Sequence, residues 1–359
     1  MANVLRFLRA DFADLEEYTP VKPLDVLAEE IGISVEWLVK LDANENLYGP
    51  SPDVREAIAK ADLHIYPDPG QTALRGAIAD YLGVHANQVV AGSGADDLID
   101  IIIRLTMPPA VATATPTFGM YSFLAKVCGV GFIEIPRAGD FSLDLCEIAR
   151  AVKDDGARVV FLTSPNNPTG NVIPDEDLRT LCSLDALIVV DEAYAEFSGS
   201  TLVPYLAEFD NLVILRTFSK WAGLAGLRCG YSLSHPDLAK HMMAIKQPYN
   251  VNIAADVAAR AALAHRAEIF ETVRALVAER GRMVRLISEL GWLEPLPSEA
   301  NFVLFVVQDG RNAREVAMAL RAMGVLVRYY DRPDLRGYIR ISAGRPEDTD
   351  RLMEALRTL

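Results

Sequence analysis

Residues 159–170 read VVFLTSPNNPTG: the apolar run Val159-Val160-Phe161-Leu162-Thr163 passes directly into Ser164-Pro165-Asn166-Asn167-Pro168-Thr169-Gly170. Two later runs end in the same abrupt way. Leu187 to Val190 is followed by Asp191-Glu192-Ala193-Tyr194, and Leu212 to Arg216 by Thr217-Phe218-Ser219-Lys220. Short apolar runs of this kind, separated by helix-like segments of about ten residues, read as strands buried on both faces. Outward from them the same rhythm covers Gln88 to Tyr231, with further runs at Val89-Val90, Val111 to Thr115 and Phe132 to Ile135. The pattern predicts an α/β fold with a mainly parallel sheet covered by helices, and such sheets place ligands beyond the carboxyl ends of their strands.

The C-terminal part has a different rhythm. An alanine-rich helical stretch, 254–290, breaks near Ala264-His265 and leads to a strand at Phe302 to Val306. A helix at Ala313 to Met323, strands near Val325 to Val327 and Tyr338 to Ile341, and a terminal helix from Pro346 follow. This predicts a smaller α+β unit. A chain of 359 residues exceeds the size at which one core usually stops growing. We expect a large domain over 50–249 and a small domain made of 1–49 and 250–359.

The net charge of -14 disfavours a nucleic-acid partner. The longest apolar stretches, such as Ile101 to Ile103, are too short to span a bilayer, and the N-terminus is acidic where a signal peptide would be apolar, so the expected location is the cytoplasm. Cys128, Cys146, Cys182 and Cys229 are scattered in apolar contexts and read as buried, reduced thiols. His64, His85, His235, His241 and His265 lack ligand spacing, so no metal site is expected.

Parallel strands would bring an amide, a carboxylate, a phenol, two hydroxyls and an amine to one rim. Each has a plainer reading. Asn-Asn-Pro-Thr-Gly is a good turn, Asp191 suits a helix cap, Tyr194 suits packing and Lys220 suits a solvated surface. Together they match the needs of pyridoxal 5'-phosphate (PLP): a lysine amine to bond its aldehyde, an acid opposite its pyridine nitrogen, and donors for its phenolic oxygen and phosphate. Lys220, Asp191, Asn167 and Tyr194 are the candidates.

A phosphate cradle is read at Gly92-Ser93-Gly94-Ala95-Asp96-Asp97, where a strand meets the largely apolar helix Leu98 to Leu105. The Gly92-x-Gly94 start resembles a dinucleotide fingerprint, but Asp97 stands at the third glycine position. After Lys220, the small residues of Trp221-Ala222-Gly223-Leu224-Ala225-Gly226-Leu227 permit close backbone approach, and Arg228 is placed to share a phosphate with Thr217 and Ser219. A salt bridge is the alternative role for Arg228.

With these residues in order, and with Leu41-Asp42-Ala43-Asn44-Glu45-Asn46, Tyr66-Pro67-Asp68, Pro248-Tyr249-Asn250 and Arg340-Ile341-Ser342, the chain resembles the fold-type I PLP-dependent transferases, and among these most closely the histidinol-phosphate aminotransferases. The resemblance runs from Tyr18 to the final helix. It implies Lys220 as Schiff-base lysine and base, Asp191 as pyridinium partner, and Asn167 and Tyr194 as phenolate contacts. It assigns phosphate to Gly94, Ala95, Asp96, Thr217, Ser219 and Arg228, ring stacking to Phe118, and a contribution by Tyr66 across a homodimer. Tyr18, Asn44, Arg328 and Arg340 match substrate positions, with Arg340 gripping the carboxylate of glutamate in one half-reaction and a phosphate in the other. Arg332, Arg336 and Arg345 read as surface charges. Leu47 and Val21 depart from the family's proline and glycine on the N-terminal substrate lid. The implied activity is amino transfer from histidinol phosphate to 2-oxoglutarate. The rivals are an aromatic amino-acid aminotransferase, a threonine-phosphate decarboxylase and a PLP-sensing regulatory domain.

Overall fold

The computed structural model describes residues 4–12 and 22–359. After a helix at Leu24–Ile31 comes strand β1 (Val39–Lys40), which lies outside the central sheet. That sheet has seven strands: β2 (Val89–Gly92), β3 (Ala110–Thr115), β4 (Gly131–Pro136), β5 (Ala157–Thr163), β6 (Leu187–Asp191), β7 (Leu212–Thr217) and β8 (Gly230–Leu233). Their order is β2-β8-β7-β6-β5-β3-β4. All six expected runs are strands of this sheet. The seventh, β8, runs against the rest. It follows β7 through the loop 218–229 without a crossover helix, and a direct return to a neighbouring position must be antiparallel.

Strand alternation explains the continuous apolar runs. Val160, Leu162, Ile188, Val190, Leu212 and Ile214 enter the core on one face of the sheet, while Val159, Phe161, Val189, Val213 and Leu215 enter the core on the other. Each such side chain contributes about 1.5–3 kcal/mol when removed from water, so the middles of β5, β6 and β7 stay apolar on both faces. The polar groups therefore collect at the carboxyl rim. The ladder sets Thr163 directly beside Asp191 there.

The smaller sheet is antiparallel, with β9 (Leu293–Pro295), β10 (Phe302–Val307), β12 (Arg328–Tyr329) and β13 (Tyr338–Ser342) in the order β12-β13-β10-β9. The strand expected at 325–327 is instead two short pieces. Val325–Leu326, β11, pairs in parallel with β1, and the chain then crosses to pair with β13. The helical stretch breaks as expected, into Ile253–Ala264 and Arg266–Ser288. The first helix and the first half of the second pack with the large sheet, since Val251, Ala255, Ala259, Leu263, Val273 and Leu276 share that core, so the large core extends beyond residue 249.

All four cysteines are free, and Cys182 and Cys229 are buried. Cys128 is half-buried and Cys146 exposed, contrary to expectation, because Cys146 sits on the solvent side of the helix Leu145–Lys153 whose buried face is Ile148, Ala151 and Val152. Among the described residues no helix is long and apolar enough to cross a membrane.

Candidate active site

A cavity of about 360 Å³ opens at the carboxyl rim between the two sheets. Its walls include Lys220, Asp191, Tyr194, Asn167, Phe118, Ala95, Asp96, Thr217, Ser219 and Arg228 from the large unit, with Asn44, Arg328 and Arg340 from the smaller one. Thirteen expected residues from distant parts of the sequence thus meet in one place. Gly94 does not line the cavity, but it lies under the guanidinium of Arg228: a Cβ there would sit 2.6 Å from Arg228 Nη2. Tyr66 lies elsewhere, 78% exposed and stacked on Tyr249 at 4.5 Å. Tyr18 and Val21 fall outside the described residues.

Asp191 ends β6 facing the cavity, 4% exposed. Its Oδ1 accepts from the backbone N–H of Ala193 at 3.0 Å, and its Oδ2 accepts from the Tyr121 hydroxyl at 3.1 Å. Burial pushes its pKa up to about 6, against the pull of those two donors. The next residue turns the other way. Glu192 accepts from Arg216 Nε at 2.8 Å behind the rim, and Arg216 also donates to Glu196 and Thr201, each at 2.8 Å. This buried cluster ties the ends of β6 and β7 together while leaving Asp191 and Thr217 on the cavity side.

Lys220 Nζ donates to the carbonyl of Ala43 at 3.1 Å. Burial, followed by the charge of Arg340, brings its pKa down to about 8. The sign matters for reactivity, because only the neutral amine attacks an aldehyde. The rate of aldehyde uptake by the cofactor-free protein should rise about five-fold from pH 7 to pH 8 and level off above about pH 9, whereas an ordinary lysine would keep rising by about ten-fold per unit. Stopped-flow absorbance with PLP measures this directly.

At one end of the cavity the helix Ala95–Thr106 presents its N-terminus, with Gly94 at φ 84° as its cap. Backbone N–H groups without helical partners face that end, an arrangement that attracts an anion. Arg228 stands over it, pairing with Asp96 at 3.0 Å and donating to Ser219 Oγ at 3.4 Å. The salt-bridge and anion readings of Arg228 are thus compatible. Gly230 is needed close by: a Cβ on it would meet the Ala95 nitrogen at 2.9 Å. Asp97, which breaks the dinucleotide pattern, accepts from Ser93 N and from Asn250 Nδ2, each at 2.8 Å, and so holds the loop.

At the other end Tyr194 accepts from Asn44 Nδ2 at 3.0 Å, and burial raises its pKa to about 12. Asn167 accepts from Arg340 Nη1 at 2.6 Å. The Asn-Asn-Pro-Thr-Gly segment is both a turn, closed by Gly170 N to Asn166 O at 2.7 Å, and a wall of the site. Arg340 is 5% exposed, and its Nε is buried without a partner.

The cavity also contains residues outside the expected set: Asp42, Thr117, Thr163, Tyr330 and Arg332. Arg332 had read as a surface charge, whereas Arg336 pairs with Asp331 and Arg345 caps the last helix through Asp348. Tyr121, fully buried, supports Asp191 from behind. Its signal was its position three residues after Phe118 at a helix start, which puts both on one side, and the two rings pack edge to face at 5.7 Å.

The family model for aminotransferase class I and II matches residues 36–356. The histidinol-phosphate aminotransferase of Roseiflexus castenholzii is 44% identical over 99% of this chain and 99% of its own. The chloroplastic histidinol-phosphate aminotransferase of Nicotiana plumbaginifolia is also 44% identical, over 98% of this chain and 86% of its own. Among solved structures, histidinol-phosphate aminotransferase from Sinorhizobium meliloti in complex with pyridoxal-5'-phosphate superposes with a TM-score of 0.87 at 30% identity, covering 98% of this chain and 99% of that one. A threonine-phosphate decarboxylase from Porphyromonas gingivalis, at 23% identity and a TM-score of 0.78, shares the fold. With the family model spanning both sheets and near full-length relatives agreeing with it, the chain belongs to the class I and II aminotransferases.

Proposed function

We propose that the chain is a PLP-dependent aminotransferase that moves the amino group of histidinol phosphate to 2-oxoglutarate. The observation that carries this reading is the joining, in one cavity, of the Lys220 amine and buried Asp191 with an anion cradle at one end and Arg328 and Arg340 at the other. The donor set fits the cofactor. Its phosphate would lie at the Ala95 and Asp96 backbone with Thr217, Ser219 and Arg228, where Gly94 lets the Arg228 guanidinium and Gly230 lets the Ala95 nitrogen approach closely. Its ring would lie against Phe118, its nitrogen at Asp191 and its phenolic oxygen at Asn167 and Tyr194.

Bound PLP supplies an electron sink for the carbon that carries the amine. Lys220 would hold the cofactor aldehyde through Nζ; freed by the substrate amine, Nζ would take the proton from that carbon and pass it to the carbon of the former aldehyde, so that hydrolysis leaves the amine on the cofactor. A pKa near 8 suits both duties at neutral pH. Asp191 as an anion keeps the ring nitrogen protonated. Arg340 offers a planar fork suited to carboxylate and phosphate alike, with Arg328 beside it.

Steady-state comparison of histidinol phosphate, phenylalanine and threonine phosphate tests the reading. Histidinol phosphate should be preferred; a phenylalanine rate as high, or loss of carbon dioxide from threonine phosphate, would overturn it. Arg340→Ala should lower kcat/KM by about 100-fold for histidinol phosphate and for glutamate alike, because both anions lose one charge-assisted fork.

The same proposal includes a homodimer in the cytoplasm. Tyr66 is 78% exposed beside exposed Leu63 and Ile65, so its service to a cofactor needs a neighbouring subunit. The division into 50–249 and the two flanking parts remains part of the proposal, with residues 251–276 packed on the large unit.

A further inference from the structure

Behind Asp191 runs a chain of side-chain hydroxyls that the proposed reaction does not itself call for. Tyr121 Oη lies 3.1 Å from Asp191 Oδ2 and 2.7 Å from Thr163 Oγ1. Thr163 Oγ1 lies 3.2 Å from Thr117 Oγ1, which donates to Asn166 Oδ1 at 2.8 Å. Asn166 is oriented by its amide, which donates to Pro116 O at 3.0 Å and to Thr169 Oγ1 at 2.7 Å, so its Oδ1 can only accept.

Hydrogen counting then limits the arrangement. Thr117 spends its single hydrogen on Asn166. The hydrogens of Thr163 and Tyr121 remain for three contacts: Thr163 to Thr117, Thr163 to Tyr121, and Tyr121 to Asp191. An ionised Asp191 has no hydrogen to give, so one contact goes unmade. The longest is that between the two threonines. Leaving it unmade directs Thr163 onto Tyr121 and Tyr121 onto Asp191, and each donor in such a chain strengthens the next.

Resting on the proposed cofactor chemistry, we propose that Tyr121 is a positioning residue: Thr163 aims its hydroxyl hydrogen at Asp191 Oδ2, which keeps that carboxylate an anion and leaves the proton on the cofactor ring. The other ionisable groups around the pair are Lys220, Asp96, Tyr194 and Arg137. None of them is hydrogen-bonded to the Asp191 carboxylate among the described residues, and all are retained in the variants below.

The test follows the pH at which the visible absorption of the PLP-loaded protein changes. Without the Tyr121 donor, Asp191 binds the ring proton more strongly, the ring is less positive, and the Lys220 nitrogen holds its proton to higher pH. Tyr121→Phe should therefore raise the midpoint by about 0.5 unit, Thr163→Val by about half of that, and Thr163→Ser should keep the parental value. A purely structural role would lower the melting temperature and leave the midpoint in place. An unchanged midpoint in a loaded, folded Tyr121→Phe, or in Thr163→Val should Tyr121→Phe not fold, overturns the inference. A parent protein that gains no visible absorption with PLP overturns the underlying reading instead.

Discussion

Lys220→Ala is expected to lower turnover by about 10⁵-fold, since on the proposed roles one substitution removes both the covalent anchor and the base. Borohydride treatment of the loaded parent should place the reduced cofactor on the peptide containing Lys220, and the variant should take up none. Stability should move the other way. The folded pKa of about 8 lies below the ordinary 10.5, so the amine opposes folding wherever it must stay charged, below about pH 8, and that opposition fades towards pH 10.5. Cofactor-free Lys220→Ala should therefore melt at the parental temperature or above it at pH 7. A variant that turns over as fast as its parent would end the assignment, whatever its melting temperature.

Asp191→Asn should lower kcat by about 10³-fold with little change in fold. Asparagine has nearly the same shape but carries no charge, so the ring nitrogen loses its reason to stay protonated. At the strand end the substitution is well tolerated sterically, since the carboxylate's present partners are one backbone N–H and one hydroxyl that can rotate. Measuring each half-reaction separately, by absorbance in single-turnover mixing, should show the loss in the proton-transfer stage. Glutamate at 191 should not rescue it, because the added methylene carries the carboxylate away from the Ala193 N–H and the Tyr121 hydroxyl that hold it. An Asp191→Asn protein with parental half-reactions would show that the acid is structural.

The six strand runs were legible because burial on both faces admits only apolar side chains, and that restriction is written residue by residue. The same restriction made the strand ends legible, since Asn167, Asp191 and Lys220 stand where the apolar code stops. β8 escaped because its four residues look like any other strand; only the missing crossover after β7 decides its direction. The exposed face of Cys146 and the split at 325–328 were also hidden, for both depend on which neighbour a short segment meets.

Sequence alone marked the candidates for this protein's chemistry: an amine, an acid and an anion cradle were each announced by a local pattern, and the family resemblance added two arginines as expected substrate contacts. Tertiary structure alone decided how those groups are tuned. Burial lowers the pKa of Lys220 and raises that of Asp191, and Tyr121, Thr163 and Thr117 became a chain only when β5 paired with β6 beside a helix. Desolvation and hydrogen-bond direction depend on atoms brought together from distant parts of the chain, and no local pattern records them.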